Sequence, residues 1–196
     1  MKKNTVNQKK IDEEVRNLSF GYTFLLISTI IFYVSLNNFT FYCLDIKFSF
    51  NIFILPIIFF LTNVITKEVG YKLSMKSLII STIFMFIMSY FIGIAFNEGE
   101  SIVRYIGISF AYFIANFINL IIYNFMLDNF KTPLVYVSLT MIFACLIYNM
   151  FYMLFALRMT FSDTFWNSYT IVMCVEALIC IICAILLNFI KQGVEN

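Results

Sequence analysis

"FAYFIANFINLIIYNF", residues 110–125, is apolar enough for hydrocarbon, yet it carries Asn116, Asn119 and Asn124 together with Tyr112 and Tyr123. A helix turns by about 100° per residue, so Ser109, Tyr112, Asn116, Asn119 and Tyr123 fall within an arc of roughly 80°. The polar groups make one stripe on an otherwise greasy cylinder. The fold turns on what that stripe faces and on what covers the rest.

Composition answers the second question. Of the 196 residues, 62% are hydrophobic and 12% charged, where a soluble domain averages about 45–50% apolar and about 25% charged. A chain so composed cannot hide its apolar surface inside a sphere of this size; it needs a bilayer. Six segments, 18–36, 48–66, 77–96, 102–127, 134–157 and 169–190, meet the requirement of about 20 apolar residues for a spanning helix. The expected fold is all-α: a polytopic membrane protein built as one bundle of six transmembrane helices over residues 18–190, with tails at 1–17 and 191–196. The polar leader "MKKNTVNQKKIDEEVRN" (1–17) is long and mixed in charge, and no small-residue cleavage site follows the first apolar core. That segment is expected to be retained rather than removed as a signal peptide.

Lysine and arginine set the expected orientation. With the N-terminus inside, Lys2, Lys3, Lys9, Lys10, Arg16, Lys67, Lys72, Lys76, Lys131 and Lys191 lie on the inner side, and only Lys47, Arg104 and Arg158 on the outer side. This asymmetry favours both termini in the cytoplasm, and the bundle is expected in the inner (plasma) membrane. The basic N-terminal tail, moderated by Asp12, Glu13 and Glu14, suits contact with anionic headgroups.

Several chemistries are excluded. The chain has no histidine, and its cysteines at 43, 145, 174, 180 and 183 offer only one CxxC spacing, Cys180 and Cys183, with no second thiolate pair to face it. That pair reads as small packing residues at a helix contact rather than a metal or redox site. No GxxxxGK[ST] is present, so no P-loop hydrolyses a nucleotide. No enzyme activity, cofactor, metal or nucleic acid is expected.

The connections are short: 37–47, 67–76, 97–101, 128–133 and 158–168, with Gly70 and Pro133 punctuating the two inner turns. Pro56, read as lying midway along the second helix, is expected to kink it.

An amide in hydrocarbon wants a partner, because an unpaired polar group costs several kcal/mol there. The stripe on the fourth segment therefore has two readings. One is helix–helix glue at about 0.6 kcal/mol per bond; the other is a polar wall lining a small-molecule cavity. Thr62, Asn63 and Thr66 on the second segment, and Asn149 and Tyr152 on the fifth, add further polar groups. Glu176, with Tyr169, Cys180 and Cys183 on the same face of the sixth, is an ionisable group at membrane depth and hence a functional candidate. Its structural alternative is an ion pair with Arg104 or Arg158. Donors, acceptors and ring faces together suit a flat, hydrogen-bonding heterocycle.

"ILPIIFFLTNVITKEVGYKLSMK" (54–76) resembles the signature of the queuosine-precursor transporter family, also called vitamin uptake transporters. There an apolar, proline-containing helix runs into an Asp seven residues before a Gly; Asn63 and Gly70 hold those positions here. "IVRYIGISFAYFIANFINLIIYNF" (102–125) resembles that family's Arg-containing helix with its Gln-x-x-Asp pair, matched by Arg104, Asn116 and Asn119. "ACLIYNMFYMLFAL" (144–157) resembles a Ser-Asp-Thr helix whose Asp falls on Asn149, and Glu176 stands where a Lys is common. The resemblance spans about residues 48–190. It implies import of a 7-deazaguanine-type base. Asn63, Asn116, Asn119 and Asn149 are then expected to hydrogen-bond the ring and Tyr112 or Tyr152 to stack on it, and Glu176, from its depth in the membrane, to serve in coupling or as a charge pair with Arg104. The departures, three family acids replaced by amides and a Lys by an acid, bear on substrate and coupling. The expected partners are the heterocyclic solute and the lipid bilayer, and a homodimer stays open as the assembly. Two alternatives also stay open: a substrate-capture subunit of an ATP-driven vitamin importer, and a non-transporting membrane interaction protein.

Overall fold

A computed structural model describes residues 2–43, 46–95, 102–130 and 132–195. The connection 97–101 and the inner-side Lys131 lie outside the described residues. Six long helices follow one another: α1 (Lys2–Leu36), α2 (Leu55–Val69), α3 (Tyr71–Ala95), α4 (Ile102–Asn129), α5 (Pro133–Phe151) and α6 (Asp163–Glu195). All six, α2 and α5 counted together with the turns adjoining them, are long and apolar enough to cross a membrane. Outward-facing Ile79, Ile83 and Phe91 on α3, and Leu178, Ile182 and Leu186 on α6, are exposed. Such continuous apolar faces demand lipid. The chain is a multi-pass membrane protein with an all-α, six-helix bundle.

α4 is the central helix. It packs between α3 and α5 and also touches α2. Ala111 and Ala115 on its buried face, alongside Tyr112 and Leu120, let neighbouring backbones come close. α3 offers Ser74, Ser77, Ser81, Ser89 and Gly93 as its own small buried face. A Cβ built on Gly93 would stand 2.0 Å from the Tyr105 hydroxyl oxygen, so α3 meets α4 there only because no side chain intervenes. α2 and α3 are joined by Gly70 alone, at φ 84°, a conformation that costs glycine little and other residues more.

Three local features differ from expectation. Pro56 does not kink a helix interior. It stands in the first turn of α2, where its missing N–H has no partner to lose, and a 3-10 turn at Phe50–Phe53 precedes it. The connection after α1 holds an antiparallel hairpin of β1 (Thr40–Cys43) and β2 (Ile46–Ser49), with Phe41 opposite Phe48. A π-helical turn at Tyr152–Ala156 closes α5, followed by Arg158 at φ 53°. In addition, α1 and α6 continue as helix through the segments read as tails.

The bundle thus has two ends. One carries the α2–α3 and α4–α5 turns and the chain termini; the other carries the hairpin, the π turn and the start of α6.

Candidate functional site

At the hairpin end the helices splay around a cavity of about 590 Å³. Its wall comes from the last turn of α1 and the residue just beyond it (Tyr33, Asn37), β2 and the 3-10 turn (Phe48, Ser49, Asn51), the start of α4 (Arg104), the end of α5 with the π turn (Tyr148, Asn149, Tyr152), and α6. On α6 the lining residues are Ser168, Val172 and Glu176. Their spacing of four keeps them on one face, with Glu176 about 12 Å deeper than Ser168 along the axis.

Local bonds hold this wall. Ser49 Oγ donates to the carbonyls of Leu36 and Asn37 at 3.0 and 2.9 Å, and Asn51 Nδ2 donates to Asn37 Oδ1 at 3.1 Å. Phe48 packs with Met153, Phe165 and Val172 in a small apolar cluster, pinning the hairpin onto α5 and α6. The Tyr33 and Tyr148 hydroxyls share a 2.6 Å hydrogen bond, and Tyr148 stacks on Tyr152 with ring centroids 5.6 Å apart.

Glu176 is fully buried. Its Oε2 accepts from Asn149 Nδ2 at 2.5 Å, while Oε1 has no hydrogen-bond partner among the described residues. Neither ion pair formed among the described residues includes Glu176. Glu176 and Arg104 line the same cavity, and no ion pair between them is formed among the described residues. Amide donation from the neighbouring helix takes its place.

The stripe on α4 goes elsewhere. Ser109, Tyr112, Asn116, Asn119 and Tyr123 are all buried against protein. Asn119 Nδ2 donates to Asn63 Oδ1 at 2.9 Å, Asn63 Nδ2 to Thr140 Oγ1 at 3.2 Å, and Thr62 Oγ1 to Asn116 Oδ1 at 3.0 Å. Tyr112 pairs its hydroxyl with Ser81 Oγ on α3 at 2.9 Å. These bonds tie α2, α4, α5 and α3 together below the cavity, toward the termini. The structure accordingly divides the sequence candidates in two. Asn149, Tyr152, Glu176 and Arg104 line the cavity, whereas Asn63, Tyr112, Asn116 and Asn119 do not.

Tyr33, Asn37, Asn51 and Tyr148 escaped the sequence reading. Tyr33 and Asn37 are one helical turn apart at the end of the first apolar segment, and Tyr148 adjoins Asn149; polar or aromatic pairs at helix ends were the available signal. Among the described residues no group of three or more Cys, Asp or Glu side chains is placed to hold a metal.

No family model, curated protein or solved structure matches this chain. Fold and cavity define the class: a six-helix, multi-pass membrane protein with a solute-sized recess at one end.

Proposed function

We propose that the protein is a membrane transporter importing a small hydrogen-bonding heterocycle, of the 7-deazaguanine type that the family resemblance implies. The observation that carries this reading is the cavity. Its volume of about 590 Å³ lies within the about 300–1,000 Å³ typical of small-molecule sites. Its wall combines amides, hydroxyls and tyrosine rings, which supply donors, acceptors and stacking faces. A lipid-filled crevice would need none of these.

With both termini in the cytoplasm, as the Lys and Arg asymmetry favours, the cavity faces outward. The Tyr33–Tyr148 pair and the amide knot of Asn63, Asn119 and Thr140 then stand between solute and cytoplasm. Passage requires helices 2, 4, 5 and 6 to part there while the hairpin end closes.

The test is uptake of radiolabelled 7-cyano- and 7-aminomethyl-7-deazaguanine into liposomes containing the purified chain. Saturable accumulation of either base supports a carrier. Binding without uptake, joined by copurification of an ATPase, would replace it with a substrate-capture subunit.

A further inference from the structure

Glu176 poses a physical problem that the fold itself does not solve. A carboxylate at membrane depth is costly unless a positive charge or a full set of donors meets it. Glu176 has one amide donor, Asn149, on Oε2, and no hydrogen-bond partner on Oε1 among the described residues. A purely architectural role would be served better by an apolar residue of the same volume. The titratable or charged groups around it are Cys145 and Tyr148 on α5, Tyr152 on the π turn, Cys180 and Tyr169 on α6, Tyr33 on α1 and Arg104 across the cavity. No lysine or arginine among the described residues pairs with the carboxylate. Among the described residues no two further Cys, Asp or Glu side chains join Glu176 in a group placed to hold a metal ion.

We propose that Glu176 is the anchor for a positively charged nitrogen of the solute, so that the cavity selects amine-bearing or protonated heterocycles over neutral ones of equal size. Glu176 lines the same cavity as Tyr33, Tyr148 and Tyr152. Tyrosine faces attract organic cations, so rings and carboxylate favour the same ligand charge. Asn149 is the positioning residue: its amide holds Oε2, while the buried Oε1 is left without a hydrogen-bond partner among the described residues. This inference rests on the reading of the cavity as a solute site and adds the charge of what enters it.

Two bases with the same ring separate the two claims. 7-Aminomethyl-7-deazaguanine carries an ammonium group at neutral pH, and 7-cyano-7-deazaguanine is uncharged. Calorimetry on the full chain in detergent should give at least tenfold tighter binding of the amine. Glu176→Gln should lower amine affinity at least tenfold, leave the cyano base unchanged and so erase the preference. Should Glu176→Gln fail to fold, Glu176→Asp, which keeps the charge, should keep the preference. Equal affinities in the wild-type chain, or amine binding that survives Glu176→Gln, would overturn the anchor while leaving the solute cavity standing. Failure of both bases to bind the folded chain would overturn the cavity reading and the anchor together.

Discussion

Asn119 donates its side-chain amide to Asn63 Oδ1 across 2.9 Å, and Asn63 passes its own amide to Thr140 at 3.2 Å. One relay thus ties α4 to α2 and α2 to α5 in the bundle interior. Cross-helix bonds of this kind average about 0.6 kcal/mol, with a maximum near about 1.7. A double-mutant cycle of Asn63→Leu and Asn119→Leu, read from unfolding in bicelles, should give a coupling in that range. Because neither residue lines the cavity, solute affinity should hold in each folded single variant. A tenfold loss of affinity without loss of stability would move the knot into the binding site.

Gly93 and Tyr105 make a second close approach. An alanine Cβ at Gly93 would lie 2.0 Å from Tyr105 Oη and 2.5 Å from Cζ, so the ring must move, and it is buried edge-on against Tyr90. Gly93→Ala should cost about 1–3 kcal/mol, as overpacking does, measurable as a lower melting temperature. Tyr105→Phe in that background should restore only part, because removing the hydroxyl leaves Cζ too close.

These cases show what the sequence makes legible. The stripe of Ser109, Tyr112, Asn116, Asn119 and Tyr123 reads as one face because helical periodicity is local, and that face is indeed buried. Which neighbour it meets is not local. Asn119 finds Asn63 from 56 residues away, and no spacing within a single helix distinguishes a partner amide from a cavity. The cavity itself was less legible still. Its wall is assembled from the ends of α1, α2, α4, α5 and α6, where hydropathy windows lose their signal, and from a hairpin hidden in a segment read only as a connection. Asn149 and Glu176 were visible because polar groups stand out in apolar runs; Tyr33 and Tyr148 were not, because tyrosine is ordinary at membrane edges.

Pro56 gives a prediction whose sign discriminates. In a helix interior a proline costs about 3 kcal/mol, so Pro56→Ala would stabilise the protein. In the first turn of α2, where the structure puts it, Ala frees the unfolded chain and loses buried contact without gaining a needed hydrogen bond. Pro56→Ala should therefore cost about 0.4–1 kcal/mol from the unfolded-state effect, plus any packing loss. A rise in melting temperature would contradict the placement.

Orientation is tested by which face a reagent reaches. The excess of Lys and Arg at the termini end predicts that end in the cytoplasm. With the five native cysteines replaced by serine, Asn38→Cys, on the cavity wall, should react in intact cells with a membrane-impermeant maleimide. Lys72→Cys, beside the Gly70 turn, should react only after lysis. The reverse pattern would invert the bundle and turn the cavity toward the cytoplasm.

Asn149 and Glu176 offer the sharpest separation of stability from binding. The amide is the carboxylate's nearest donor, with only the weakly donating Cys145 thiol beside it, so Asn149→Leu leaves the buried Glu176 carboxyl without its main partner. Stranding a buried polar group costs about 1–3 kcal/mol, more when it is charged, so this single variant should melt well below the wild type. Replacing both partners removes the need for the bond. Asn149→Leu combined with Glu176→Met, which keeps the volume, should regain most of that loss, because swapping a buried polar pair for apolar residues is often neutral or stabilising. The double variant should nevertheless fail to prefer a cationic base. A protein that becomes sturdier as it loses ligand discrimination carries those two side chains for its ligand. If the double variant instead stays as unstable as Asn149→Leu alone, the pair is holding α5 to α6, and its place in the cavity wall is incidental.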